Sequence, residues 1–109
     1  KNNNLFIPSP KTSYCKNIYW VIAVLITNTK LKIDANKVMK ILNKKGIGTR
    51  PFFWPMHKQQ TLKKYNFYNS NQFPNSEYIS KYGFYLPSSL NLSVKKIRFI
   101  CKCVNEIIK

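Results

Sequence analysis

The chain predicts a small α+β domain in which a few strands are backed by helices, in the order β-α-β-α-α-β-α. Three observations carry that reading: a β-branched and aromatic run between positions 14 and 26, an amphipathic repeat bounded by Asp34 and Gly46, and a second such repeat opened by Ser93. With 109 residues there is room for one hydrophobic core, and too little chain for a cofactor enzyme with two substrates.

Positions 1–13 open on Lys-Asn-Asn-Asn and read as a polar lead-in to a domain spanning 14–109. Because the first residue is Lys1 rather than Met, the chain reads as the remainder of something longer. From Tyr14 to Ile26 the content of Ile18, Tyr19, Trp20, Val21, Ile22 and Val24 predicts the core strand, and its continuous apolarity predicts that both faces are covered. Asp34 stands where an N-cap belongs. Ala35, Val38, Met39, Ile41 and Leu42 follow at helical spacing, with Lys44 and Lys45 in the last turn and Gly46 just beyond. The segment from Gly46 to Pro51 leaves that helix as a second strand, and a short helix over about 58–64 follows His57.

Asn66 to Gln72 is polar and reads as a surface loop. Phe73-Pro74-Asn75 leads into a helix over 76–82 that Gly83 ends, and Phe84-Tyr85-Leu86 is a brief strand stopped by Pro87. Ser93 then caps the last helix, whose apolar stripe reads as Val94, Ile97, Ile100, Cys101, Val104 and Ile108.

A net charge of +16 invites a free-standing basic module that binds RNA or another polyanion. The detail weakens it: 17 lysines stand against two arginines, spread evenly beside 13 asparagines and 12 isoleucines, as in a protein translated from A/T-rich coding sequence. Planar, bidentate recognition of phosphate or guanine favours arginine, which is nearly absent. Cys15, Cys101 and Cys103 are odd in number and lack zinc or disulfide spacing, so they read as reduced thiols. That usage points to a cytoplasmic protein. No apolar stretch approaches the ~18 residues of a membrane span, so no membrane partner is expected.

Chemistry concentrates in Gly46-Ile-Gly-Thr-Arg-Pro-Phe-Phe-Trp-Pro-Met-His57. Pro51 and Pro55 fix their own φ and restrict the residues before them, which makes the segment stiff and extended. Arg50 follows a glycine-flanked turn and suits an anionic group; the competing reading is a surface ion pair, for which Asp34, Glu77 and Glu106 are the available partners. His57, the single imidazole, can donate to a phosphate or sugar hydroxyl or carry a proton, or it can cap structure. Trp54, with Phe52 and Phe53, can wall a pocket for a planar or sugar ring or can belong to the core, and alternate rings are expected to point in opposite directions. Lys44, Lys45, Lys58, Lys63 and Lys64 flank the block and raise the local potential for an anion, or are solvated. No Gly-rich phosphate loop, Ser/His/Asp set, paired carboxylates or metal-ligand cluster is present, so no catalytic residue is assigned and the chain alone is expected to be inactive.

This block, extended to Gln59, resembles the C-terminal domain signature of the DegT/DnrJ/EryC1/StrS family of nucleotide-sugar aminotransferases. The Ile-Tyr-Trp-Val strand, the helix from Asp34, Phe73-Pro-Asn-Ser-Glu77 and Gly83-Phe-Tyr-Leu-Pro-Ser-Ser-Leu-Asn-Leu92 follow in the family's order. The Phe-Phe-Trp-Pro and Leu-Pro-Ser-Ser-Leu pieces are most similar to the perosamine synthetase branch. That resemblance implies a parent enzyme that uses pyridoxal phosphate to move an amino group from glutamate to a nucleotide-linked 4-keto-6-deoxy sugar, in lipopolysaccharide biosynthesis. It also implies that positions 1–13 link to a missing N-terminal cofactor domain, that the small domain helps close the site in a homodimer, and that Arg50, Trp54 and His57 face the substrate. None of the 17 lysines matches the family's cofactor-lysine motif, so no cofactor-binding residue is carried over. Gln60, where related sequences often have proline, is a departure that bears only on the start of the following helix.

Overall fold

The computed structural model describes residues 2–65 and 73–109. Its elements are β1 (Leu5–Phe6), β2 (Ile22–Ile26), α1 (Ala35–Lys44), β3 (Arg50–Pro51), α2 (Gln60–Lys63), α3 (Pro74–Tyr82), β4 (Gly83–Leu86) and α4 (Val94–Ile107), with 3₁₀ turns at Thr29–Leu31 and Met56–Lys58. The α+β class and the predicted succession of elements hold, with one extra strand at the start. The loop expected from Asn66 to Gln72 lies outside the described residues.

Four antiparallel strands pair in the order β1-β2-β4-β3. Register sets the two faces, because alternate residues point to opposite sides. Val24 lies opposite Phe84 and Ile22 opposite Leu86, which with Ile26 puts the large aliphatic side chains on one face. Against that face pack Ala35, Val38 and Leu42 of α1, Ile100, Cys103 and Val104 of α4, and Ile108 just past it; together they form the core with Ile47. Phe84, Ile26, Leu42, Ile108, Val24 and Val38 have essentially no exposed surface.

α1 has the predicted caps. The Asp34 side chain accepts from the Lys37 N–H at 2.8 Å. At the other end the Gly46 N–H bonds the Asn43 carbonyl at 2.9 Å and the Ile47 N–H reaches the Leu42 carbonyl at 3.0 Å. Gly46 sits at φ 75°, which closes the helix in a left-handed turn and drops Ile47 into the core. Ser93 likewise caps α4, accepting from the Lys96 N–H at 3.3 Å.

Four local expectations are corrected. The core strand is confined to Ile22–Ile26 and does not begin at Tyr14. Upstream, Thr12 and Cys15 form a turn held by a 2.9 Å main-chain bond, Asn17 accepts from the Tyr19 N–H at 2.8 Å, and Tyr19 adopts φ 48°. Side-chain oxygens thus offer the backbone local partners that displace the ladder, leaving Tyr14, Ile18 and Trp20 exposed. Second, β2 is not covered on both faces, since Ala23 and Leu25 remain half-exposed opposite the helices.

Third, the strand expected from Gly46 to Pro51 shrinks to Arg50–Pro51 at the sheet edge, where a proline without an N–H is tolerated. Finally, the stripe on α4 runs through Ile100, Cys103, Val104 and Ile107 to Ile108. Val94, Ile97 and Cys101 lie on its exposed flank, so the apolar set is rotated from the one read in sequence. Within positions 1–13, Leu5 and Phe6 pair with Ile26 and Leu25 and extend the sheet. Among the described residues no helix is long and apolar enough to cross a membrane.

Candidate functional site

Chain geometry between Arg50 and Lys58 follows from its two prolines and one 3₁₀ turn. After Arg50–Pro51 pairs with Tyr85 and Phe84 the ladder ends, and Pro55, at φ −57°, feeds a turn closed by Lys58 N–H to the Pro55 carbonyl and Gln59 N–H to the Met56 carbonyl, both 3.0 Å. With no pleat beyond Pro51, the expected alternation of the rings is lost. Phe52 and Phe53 both pack on Tyr85, with ring centroids 4.6 Å and 6.1 Å away.

Arg50 is exposed, and among the described residues it has no ion pair. The surface-pair reading is therefore not realised: the carboxylate of Glu77 is engaged by His57 and Lys58, and Glu106 lies 3.9 Å from Lys45. Arg50 opens onto a groove of about 750 Å³ lined also by Trp20, Thr49, Tyr85, Pro87 and Ser88. A cation with no ion pair among the described residues, beside two aromatic rings and three hydroxyls, suits a ligand carrying both an anion and a ring.

Trp54 opens onto a different groove, about 360 Å³, shared with Lys58, Glu77, Tyr78 and Tyr82. Its indole is 60% exposed, and its Nε1–H donates to the Lys58 main-chain carbonyl at 3.2 Å. His57 opens onto neither groove. At 8% exposure it is buried, stacked on Phe73 at 4.9 Å, with Nε2 donating to Glu77 Oε1 at 2.9 Å. Lys58 Nζ meets Oε2 of the same carboxylate at 2.9 Å. These two hydrogen bonds, Lys58 first, hold the Glu77 carboxyl below its ordinary pKa.

Arg50, Trp54 and His57 are thus close in sequence but do not converge on one cavity. Three residues outside that block join them: Trp20 and Tyr85 beside Arg50, and Glu77 beneath Trp54. For Tyr85 the sequence carried no signal beyond strand propensity. For Glu77 it carried one, since it is one of only three acids in a chain of net charge +16.

Comparison with known proteins agrees with this architecture. Residues 2–105 match the model of the DegT/DnrJ/EryC1/StrS aminotransferase family. The chain is 30% identical over 89 residues to GDP-perosamine synthase of Vibrio cholerae, covering 81% of this chain and 23% of that protein. It is 31% identical over 88 residues to GDP-perosamine synthase of Escherichia coli O157:H7, covering 81% and 22%. Among solved structures, a putative sugar aminotransferase from Streptococcus pneumoniae in its PMP form superposes with TM-score 0.81 at 14% identity, over 95% of this chain and 26% of that one. The aminotransferase TlmJ from Streptoalloteichus hindustanus gives 0.77 at 16%, over 97% and 26%. The chain spans about a quarter of the length of these proteins. A family match over nearly all of its residues, on a fold that the solved aminotransferases share, makes this chain a member of the DegT/DnrJ/EryC1/StrS aminotransferase family.

Proposed function

We propose that the chain is the C-terminal small domain of a sugar aminotransferase that moves an amino group from glutamate to a nucleotide-linked 4-keto-6-deoxy sugar. Arg50 carries the reading, as an exposed guanidinium without an acidic partner among the described residues, set in a groove beside Trp20 and Tyr85. In it Arg50 binds a phosphate of the nucleotide sugar or the donor's carboxylate, Trp54 supplies a ring to the sugar side, and His57 holds the Glu77 carboxylate that borders the Trp54 groove. The similarity to two GDP-perosamine synthases supports a guanosine nucleotide. Positions 1–13 then join the domain to a cofactor-bearing partner domain, and two copies pair to complete a cytoplasmic enzyme of lipopolysaccharide biosynthesis.

Pyridoxal phosphate supplies the electron sink for amino transfer in enzymes of this kind. The residues here do not fit it: among the described side chains no lysine is buried, whereas a lysine that carries the cofactor is activated by desolvation or cationic neighbours. This chain's part is accordingly to bind and orient substrate.

GDP titration tests the proposal. Binding to the chain followed by Tyr and Trp fluorescence should weaken about tenfold in Arg50→Gln, the effect of one lost charge-assisted hydrogen bond. Equal affinity in both proteins would sink the assignment of Arg50, and a covalent cofactor absorbance with turnover by this chain alone would sink the domain reading. The basic-module reading is favoured by one feature, a groove lined by Lys32, Lys37, Lys40 and Lys81 with Tyr82. It requires binding of generic single-stranded RNA that falls steeply with salt and ignores Arg50→Gln.

A further inference from the structure

The Trp54 ring is more exposed than buried, so packing alone does not hold it. Its polar restraint is the 3.2 Å bond from Nε1–H to the Lys58 carbonyl. That carbonyl belongs to a stiff unit. Pro55 precedes it, and two 3.0 Å main-chain bonds close the turn over Met56–Lys58. What fastens the turn to the rest of the domain is Glu77 on α3, 20 residues away from His57 in sequence. One of its oxygens takes the buried His57 ring and the other takes Lys58, each at 2.9 Å, while Phe73, the residue before α3, stacks on the imidazole.

We propose that Glu77 is the positioning residue of the Trp54 wall, its carboxylate fixing His57 and Lys58 together so that the Lys58 carbonyl is held where it orients the indole. An ordinary exposed pair contributes little, because two long side chains lose freedom for one screened contact. Here the geometry differs: one carboxylate is shared by two donors on consecutive residues, and one of those donors is buried. The consequence for function rests on the reading of Trp54 as substrate-facing; the positioning itself does not.

The test therefore reads the ring directly. The chain has two tryptophans, Trp20 and Trp54, so in a Trp20→Phe background all tryptophan emission comes from Trp54. Glu77→Ala should lower the amplitude of the slow component of Trp54 fluorescence anisotropy in favour of a fast one, as the ring gains the ps–ns motion of a free surface side chain, with far-UV circular dichroism and cooperative unfolding retained. Lys58→Met should give a smaller loss in the same direction, because His57 still anchors the carboxylate. Glu77→Gln, which keeps one hydrogen bond, should fall between wild type and Glu77→Ala. Unchanged anisotropy in folded Glu77→Ala overturns the proposal; should that variant not fold, unchanged anisotropy in Lys58→Met overturns it. Neither result depends on GDP, so a failure here is distinguishable from a failure of the functional reading.

Discussion

Around Val24, Val38, Leu42 and Phe84 each position is fixed several times over, by strand register, by helix caps and by contact with both α1 and α4. From Arg50 to Lys58 the side chains rest on one or two contacts each: Phe52 on Tyr85, Trp54 on the Lys58 carbonyl, His57 on Glu77 and Phe73. Redundant contacts make a region stable and insensitive to any one polar group. Sparse contacts leave a region adjustable, and they concentrate the consequence of a substitution in the geometry of one ring.

The strongest way to break the comparison is in the core. Phe84→Ala removes a fully buried ring where the sheet meets the helices and should cost about 3–5 kcal/mol, a large share of the about 5–15 kcal/mol typical of a domain. Urea unfolding measures it. A loss below about 1 kcal/mol would mean that the core is not cooperative. Next comes the seam between the regions, Gly83→Ala. A Cβ there would meet both the Phe52 ring and the Ile79 carbonyl oxygen, so the ring must leave Tyr85 and the end of α3 must shift, at about 1–3 kcal/mol. Near-ultraviolet circular dichroism should change with it, since Phe52 and Tyr85 separate.

That seam also marks what was legible in the sequence. α1 and α4 were readable because each carries its own start signal and a 3.6-residue apolar period, and both caps form as read. A strand does not start at Tyr14, since apolar composition does not reveal that Thr12 and Asn17 hydrogen-bond locally and that Tyr19 turns left-handed. β1 is not legible, because two residues following a run of asparagines carry no period at all. In the site the residue types of Arg50, Trp54 and His57 were plain, whereas their divergence onto two grooves and a buried niche was not. Direction depends on where the ladder stops, and that is set by the edge pairing of Pro51 with Phe84.

A local cap gives an intermediate effect. Asp34→Ala leaves the Lys37 N–H without its partner and should cost about 1 kcal/mol, seen as a lower urea midpoint with unchanged slope. Smaller still is the contribution of Glu77, and its pH dependence has a definite sign. Its carboxyl is lowered in the folded state, so it is stabilising at pH values above the ordinary glutamate value of about 4.3, and that stabilisation disappears as pH falls through the lower folded value. The gap in urea midpoint between wild type and Glu77→Gln should close as the pH falls below about 4.3. A gap that widened on acidification would reverse the sign and remove Glu77 from its role as an ionised partner of Lys58 and His57.

Arg50→Gln should do least to stability and is the sharpest separator of the two regions. Its guanidinium is exposed and unpaired among the described residues, so nothing that holds the fold is lost and the urea midpoint should correspond to a change within about 0.5 kcal/mol. Its effect on GDP affinity should nonetheless exceed that of Phe84→Leu, a large-to-small change in the core that leaves the groove alone and costs stability instead. Stability and binding then move on different axes, as expected where one region is packed and the other is posed. If Arg50→Gln lowered stability as much as the loss of the Asp34 cap, the guanidinium would have to be supporting the β3 edge, and the groove beside Trp20 and Tyr85 would lose its reason to be read as a binding surface.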